Sequence, residues 1–188
     1  MAGSAEGEHW RRFVADARGI LDRDSVTEAS LRAIGARMRH AADAIDARTI
    51  GGLKALHGSG STSVVLHSDS PEGLTLVFSR FPPEAATPVH NHGTWGVVLV
   101  VEGQDHHVHW RRIDDGLNPG RAQLEVDADV VVSEGETVHW FGPPGDIHSQ
   151  QGVGRPAYEF VLFGRNVMIH PRLYFDPRAG TVREALPQ

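Results

Sequence analysis

Two hydrophobic periods divide the chain. Through residue 50, apolar positions recur at helical spacing, first as Trp10, Phe13, Val14, Ile20 and Leu21, then as Leu31, Ile34, Met38, Ala41, Ala42 and Ile45. A period of about 3.6 residues puts each set on one side of a helix, so two amphipathic helices are predicted. Asp24, Ser25 and Thr27, between the two runs, supply a turn and an N-cap.

From Ser63 onward the pattern shortens to β-rich runs at 64–67, 74–81, 95–101, 107–113, 123–126, 130–132, 137–141 and 157–163. The stretches Asp69-Ser70-Pro71-Glu72-Gly73, Asn118-Pro119-Gly120 and Pro143-Pro144-Gly145-Asp146 carry turn chemistry between them. Short strands with tight connections predict a closed or sandwiched antiparallel barrel over residues 63–178. The helical segment, residues 1–50, is expected to cover one open face of that barrel rather than to form a domain of its own. A length of 188 residues suits a single domain over 1–188.

Composition narrows the chemistry. The formal net charge is −6 and no dense Lys/Arg run occurs, so the chain lacks the electrostatic footprint of a nucleic-acid binder. Cysteine is absent, which excludes disulfides, thiolate ligands and a cysteine nucleophile, while histidine occurs 12 times. No run approaches the ~18 apolar residues of a membrane span, and residues 1–9 show no basic segment followed by an apolar one. A soluble cytoplasmic protein, monomer or homodimer, is expected.

His90 and His92 stand two apart at the start of an apolar run, so in extended backbone both imidazoles point to one side, as two cis metal ligands would. The stretch Pro88-Val89-His90-Asn91-His92-Gly93-Thr94-Trp95-Gly96, followed by Val97 to Val101 and Glu102-Gly103, resembles the first cupin motif. Pro143-Pro144-Gly145-Asp146-Ile147-His148 resembles the second, which delivers a third histidine from a neighbouring strand. The resemblance implies a mainly β fold, the cupin double-stranded β-helix, a jelly-roll-like antiparallel barrel with two N-terminal α-helices. It also implies a metal held by His90, His92 and His148. Many cupins add a carboxylate four residues after the second histidine, where this chain has Gly96. A neutral triad leaves the full charge of the ion to polarise an anionic ligand.

Within the cupins the chain resembles the cysteine dioxygenase family, above all the bacterial branch that oxidises small thiols such as 3-mercaptopropionate. The likeness extends from the helices to Asp176-Pro177 and is densest at residues 88–96, 144–148 and 155–164. It implies a mononuclear non-haem Fe(II) dioxygenase that uses O2 on a small substrate bound at the metal, with Zn, Mn or Ni as other occupants of such a site. Two family features are missing. The Ser-x-His-x-Tyr pattern falls on Glu159, Val161 and Phe163, and the arginine that anchors a substrate carboxylate falls near Thr62 or Ser63. A substrate other than cysteine follows: a thiol or another small metal-chelating molecule. Arg172 is the replacement anion partner, and Trp95, Val161 and Phe163 are the other expected substrate contacts; Arg165 reads as a surface arginine.

Glu159 shares a strand face with Val161 and Phe163. If that face lines the barrel, Glu159 is a buried carboxylate beside a metal and a candidate general base; a register one residue off turns it to solvent. The alternation His107, His109, Arg111 reads as a solvent-facing strand surface, with His106 beside it. Trp110, Trp140 and Phe160 are expected in the core or at the pocket mouth, and Tyr158, of opposite parity to Glu159, facing away. Two further functions stay open: a Zn or Mn lyase or isomerase with Glu159 moving a proton, and a non-catalytic metal- or ligand-binding cupin.

Overall fold

The computed structural model describes residues 5–45, 47–55 and 62–187. Three helices open it, α1 (Ala5–Asp24), α2 (Glu28–Asp43) and α3 (Ala47–Ala55), where two were expected. Thr27 caps α2: its hydroxyl accepts from the Ser30 N–H and its own N–H donates to the Ser30 hydroxyl. Helix α3 escapes the sequence pattern because Gly51 and Gly52 interrupt it, each costing about 1 kcal/mol of helix propensity. Tertiary contacts hold it instead. Ile50 and Leu53 pack on the core, and Lys54 Nζ reaches both Glu102 oxygens at 2.8 and 2.7 Å.

The strands are β1 (Thr62–Ser68), β2 (Thr75–Phe81), β3 (Val89–His90), β4 (Gly96–Glu102), β5 (Gln104–Arg112), β6 (Leu124–Ser133), β7 (Thr137–Trp140), β8 (Ile147–Gly152), β9 (Ala157–Phe163), β10 (Arg172–Asp176) and β11 (Thr181–Ala185). One sheet runs β1-β2-β9-β4-β7, the other β11-β10-β3-β8-β5-β6, and their strand pairings are antiparallel. The fold is a double-stranded β-helix. The two apolar runs at 123–126 and 130–132 belong to the single strand β6, and β10 and β11 add a hairpin that the runs did not announce.

The central strands of the first sheet are buried on both faces, which is why they read as continuous apolar runs. Leu76 and Phe78 of β2, Val97 and Leu99 of β4, and Phe160 and Leu162 of β9 share a core with Trp10, Phe13, Leu31, Ile34 and Met38 of the helices. Each such side chain contributes about 1.5–3 kcal/mol by leaving water. The alternate residues, Val77, Val98, Val100, Val161 and Phe163, turn inward and meet Val132 and Trp140. Facing them, the second sheet carries polar groups: in the β5–β8 register His107 lies opposite Gln150 and His109 opposite His148. The barrel interior is therefore mostly apolar on one wall, Ser79 and Glu159 excepted, and carries buried histidines and Gln150 on the other. Among the described residues no helix is long and apolar enough to cross a membrane.

Candidate metal centre

His90 lies on β3, opposite both His148 of β8 and Tyr174 of β10. His92 follows in the turn after β3, and that turn is tied from several sides. Asp146 Oδ2 accepts from the His92 and Gly93 N–H groups at 3.1 and 2.6 Å, although burial pushes its carboxyl pKa up. Arg165 donates to the His92 carbonyl from Nε and Nη2 at 3.2 and 3.0 Å, so it clamps the ligand turn and is not the surface arginine that the sequence suggested. Gly93 has φ +66°, and a Cβ there would lie 2.2 Å from the Arg165 guanidinium. Asn91 Oδ1 accepts from the Leu173 N–H at 2.8 Å and joins the turn to β10.

The three imidazoles converge. His90, His92 and His148 offer ring nitrogens all within 4.8 Å of one another, the group among the described residues that can hold a metal ion. The Nε2 atoms of His92 and His148 are 3.0 Å apart. Two nitrogens at about 2.1 Å from one ion and at right angles to each other would stand about 3.0 Å apart, so the pair fits a divalent ion. His90 donates from Nδ1 to the Pro88 carbonyl at 2.8 Å, which leaves its lone pair on Nε2. His148 is engaged at Nδ1 by His107 Nε2 at 3.1 Å. His92 Nδ1 is buried without a partner.

Exposures of 7%, 5% and 1% for His90, His92 and His148 keep the rings neutral. Burial, reinforced by the Arg172 charge and opposed by the Pro88 carbonyl, holds His90 at a pKa of about 4. Burial and then the neighbouring cationic forms press His92 and His148 well below the ordinary histidine value. Their lone pairs are thus free at neutral pH.

No side chain fits at position 96 beside these rings. A Cβ on Gly96 would lie 2.1 Å from Trp140 Cζ2. The Trp140 ring stacks on His92 at 5.8 Å and meets the His148 ring at 4.5 Å, while its Nε1 donates to the Thr94 carbonyl at 3.1 Å. A cavity of about 580 Å³ is lined by His90, His92, Val161, Phe163, Arg172 and Tyr174 and by the polar residues Thr62, Ser63, Ser79 and Gln150. Arg172 donates from Nη2 to the Val167 carbonyl at 2.9 Å, and its buried Nε has no partner. Burial lowers the pKa of this guanidinium, the mark of a cation without a matched anion.

The expected residues separate into two groups. Arg172, Val161 and Phe163 line the cavity. Trp95 does not: it shares the parity of Val97 and Leu99 and packs in the layer under the helices. Glu159 faces inward and is 0% exposed, yet it is not part of the cavity wall. Its Oε2 accepts from Gln150 Nε2 at 2.9 Å, its Oε1 has no partner, and burial, then the Asp105 carboxylate, raise its pKa well above the ordinary value. Tyr158 faces the helices, where Lys54 lies 4.9 Å over its ring.

His107 corrects the reading of β5 as a solvent face. It is 0% exposed and bonded to a ligand histidine, whereas His106 is 40% exposed and bonds Asp129. Asp105, His107, Asp146, Gln150 and Arg165 are site residues that sequence reasoning missed. One signal was available: Asp105-x-His107 and His148-x-Gln150 have matching parity on two polar strands, a polar interior written twice.

No protein-family model and no curated protein matches the chain. Among solved structures it is similar to an oxalate oxidase in complex with the substrate analogue glycolate, at 22% identity over 58% of this chain and 53% of that one, with a TM-score of 0.44. An RmlC-like cupin protein from Ralstonia eutropha is 18% identical over 70% of this chain and 69% of that one, TM-score 0.45. A DMSP lyase from Ruegeria pomeroyi is 16% identical over 63% of this chain and 53% of that one, TM-score 0.43. The match therefore spans about half the length of the oxidase and of the lyase.

Proposed function

We propose that this chain is a mononuclear non-haem iron dioxygenase acting on a small, anionic, metal-chelating molecule such as a thiol or hydroxy acid. What carries the reading is one juxtaposition: of three convergent neutral imidazoles, those of His90 and His92 line a cavity together with Arg172, whose buried Nε is unpaired. Iron(II), which His90, His92 and His148 would hold, would supply Lewis acidity and redox chemistry toward O2.

The chain's own residues then do four things. The imidazoles are neutral, so an anionic substrate meets an ion that carries no anionic protein ligand. Arg172 receives the far anionic group of that substrate, which supplies the missing partner of its guanidinium. Val161 and Phe163 form an apolar wall that keeps water from the chelating end, and Ser63, Ser79 and Gln150 offer hydrogen bonds.

A lyase or isomerase using Zn or Mn needs a base in contact with the substrate, and Glu159 sits behind Gln150. Oxygen uptake by anaerobically Fe(II)-loaded protein, measured across small thiols, diketones and hydroxy acids, tests the proposal. Turnover with Zn or Mn and none with iron and O2 would overturn it in favour of the lyase.

A further inference from the structure

Behind His148 lies a line of buried polar groups that the proposed reaction leaves unused. His107 joins His148 Nδ1 through Nε2 at 3.1 Å and Asp105 Oδ2 through Nδ1 at 2.9 Å. Both side chains are 0% exposed. Asp105 Oδ2 also accepts from Gln150 Nε2 at 3.0 Å, and Asp105 Oδ1 from the Gln151 N–H at 3.3 Å. Two N–H groups, of the Gln150 side chain and the Gln151 backbone, thus already donate to this carboxylate, and Glu159 lies beside it.

Counting protons along this line fixes the direction of each bond. The Asp105 oxygens serve as acceptors in both of those bonds, and as the acceptor toward His107 too they place its proton on Nδ1. His107 Nε2 then holds a lone pair and accepts from the Nδ1–H of His148. His148 in turn has its own lone pair on Nε2, directed at the point where the Nε2 of His92 also arrives. Of the three candidate ligands, only His148 is backed, through His107, by a carboxylate. His90 has a carbonyl behind it, and His92 Nδ1 has no partner.

We infer that Asp105 and His107 are positioning residues for the metal, which fix the tautomer of His148 and pass to the ion, through two imidazoles, the negative charge that a carboxylate at position 96 would have given directly. This rests on the reading of His148 as a metal ligand. A histidine whose distal N–H is drawn toward such an acceptor is a stronger donor, and it favours the more highly charged state of a redox metal. Held two imidazoles away, the carboxylate would compensate the ion without adding an anionic ligand to it.

The test uses the full chain with Asp105→Asn, His107→Gln and His107→Leu, and His106→Gln as the control on the neighbouring exposed position. Fe(II) affinity is measured anaerobically by competition with a chromophoric chelator, and the midpoint potential of the bound iron by titration. His107→Leu, which removes the acceptor, lowers affinity by about 10–100-fold. His107→Gln keeps an acceptor for His148 and recovers most of that loss. Cut off from the carboxylate, it nevertheless raises the midpoint potential, as Asp105→Asn does. Equal affinities for the Leu and Gln variants, or potentials unmoved in both Gln and Asn variants, would reduce the network to packing and overturn the inference. A wild-type chain that binds no Fe(II) overturns the metal centre itself and this inference with it, a result separable from the first.

Discussion

The Nε2 atoms of His92 and His148, 56 residues apart in sequence, lie 3.0 Å from each other in the barrel interior. Two neutral nitrogens at that separation, with lone pairs aimed at one point, form a site that an ion completes. We expect His92→Ala and His148→Ala each to weaken Fe(II) or Zn(II) binding by more than the ~100-fold upper range of changes behind the ligands. A chelator competition in which either variant matches the wild type would remove that histidine from the ligand set.

Asp146 ties the two histidine-bearing segments together by accepting from the N–H groups of His92 and Gly93. Asp146→Ala leaves two donors without an acceptor and is expected to cost about 2–3 kcal/mol, while Asp146→Asn keeps one acceptor oxygen and costs less. Chemical denaturation of the metal-free proteins decides. An Ala variant with an unchanged midpoint would show that the turn holds itself.

Glu159 gives a pH dependence with a definite sign. Burial beside Asp105 keeps its carboxyl protonated in the folded chain well above the ordinary value of 4.5 at which it ionises when unfolded. Above that pH the folded state binds more protons than the unfolded one, so stability falls as pH rises, by at most about 1.4 kcal/mol per pH unit for one group. Below it the penalty is absent. Glu159→Gln removes the titration, and the stability of the variant relative to the wild type should climb from pH 4.5 toward neutrality. A difference that stays flat over that window would mean that Glu159 is ionised in the fold.

Arg172 sets stability against binding. Arg172→Met keeps the aliphatic stem and removes a cation whose buried Nε is unpaired, so the metal-free protein should gain about 1–3 kcal/mol. The same change should weaken binding of small carboxylates to the metal-loaded protein, read by calorimetry. A variant that is both less stable and equally tight for anions would make Arg172 a structural residue.

Much of this architecture is legible in the sequence, and the exceptions have physical causes. The inward and outward faces of β2, β4 and β9 follow from alternation, and the inward turn of Glu159 comes with Val161 and Phe163 because side chains two apart share a face. Alternation says which residues share a face but not which face is wet. His107, His109 and Arg111 do share one; Arg111 reaches solvent at the end of β5 while His107 lies in the interior, so a polar row reads as a surface row. Trp95 failed differently. It neighbours the ligand turn in sequence, yet its parity with Val97 and Leu99 sends it under the helices. Arg165 could not be placed from local pattern at all, since its partner is a carbonyl 73 positions away.

Gly96 and Trp140 are matched by shape: the indole occupies the volume that any side chain at 96 would need. Neither position can therefore vary alone. A carboxylate installed at 96 meets the indole before it meets an ion, and a smaller residue at 140 leaves a void beside two histidines. The glycine and the tryptophan together thus close the space beside two of the imidazoles to any other side chain, although neither offers an electron pair to a metal.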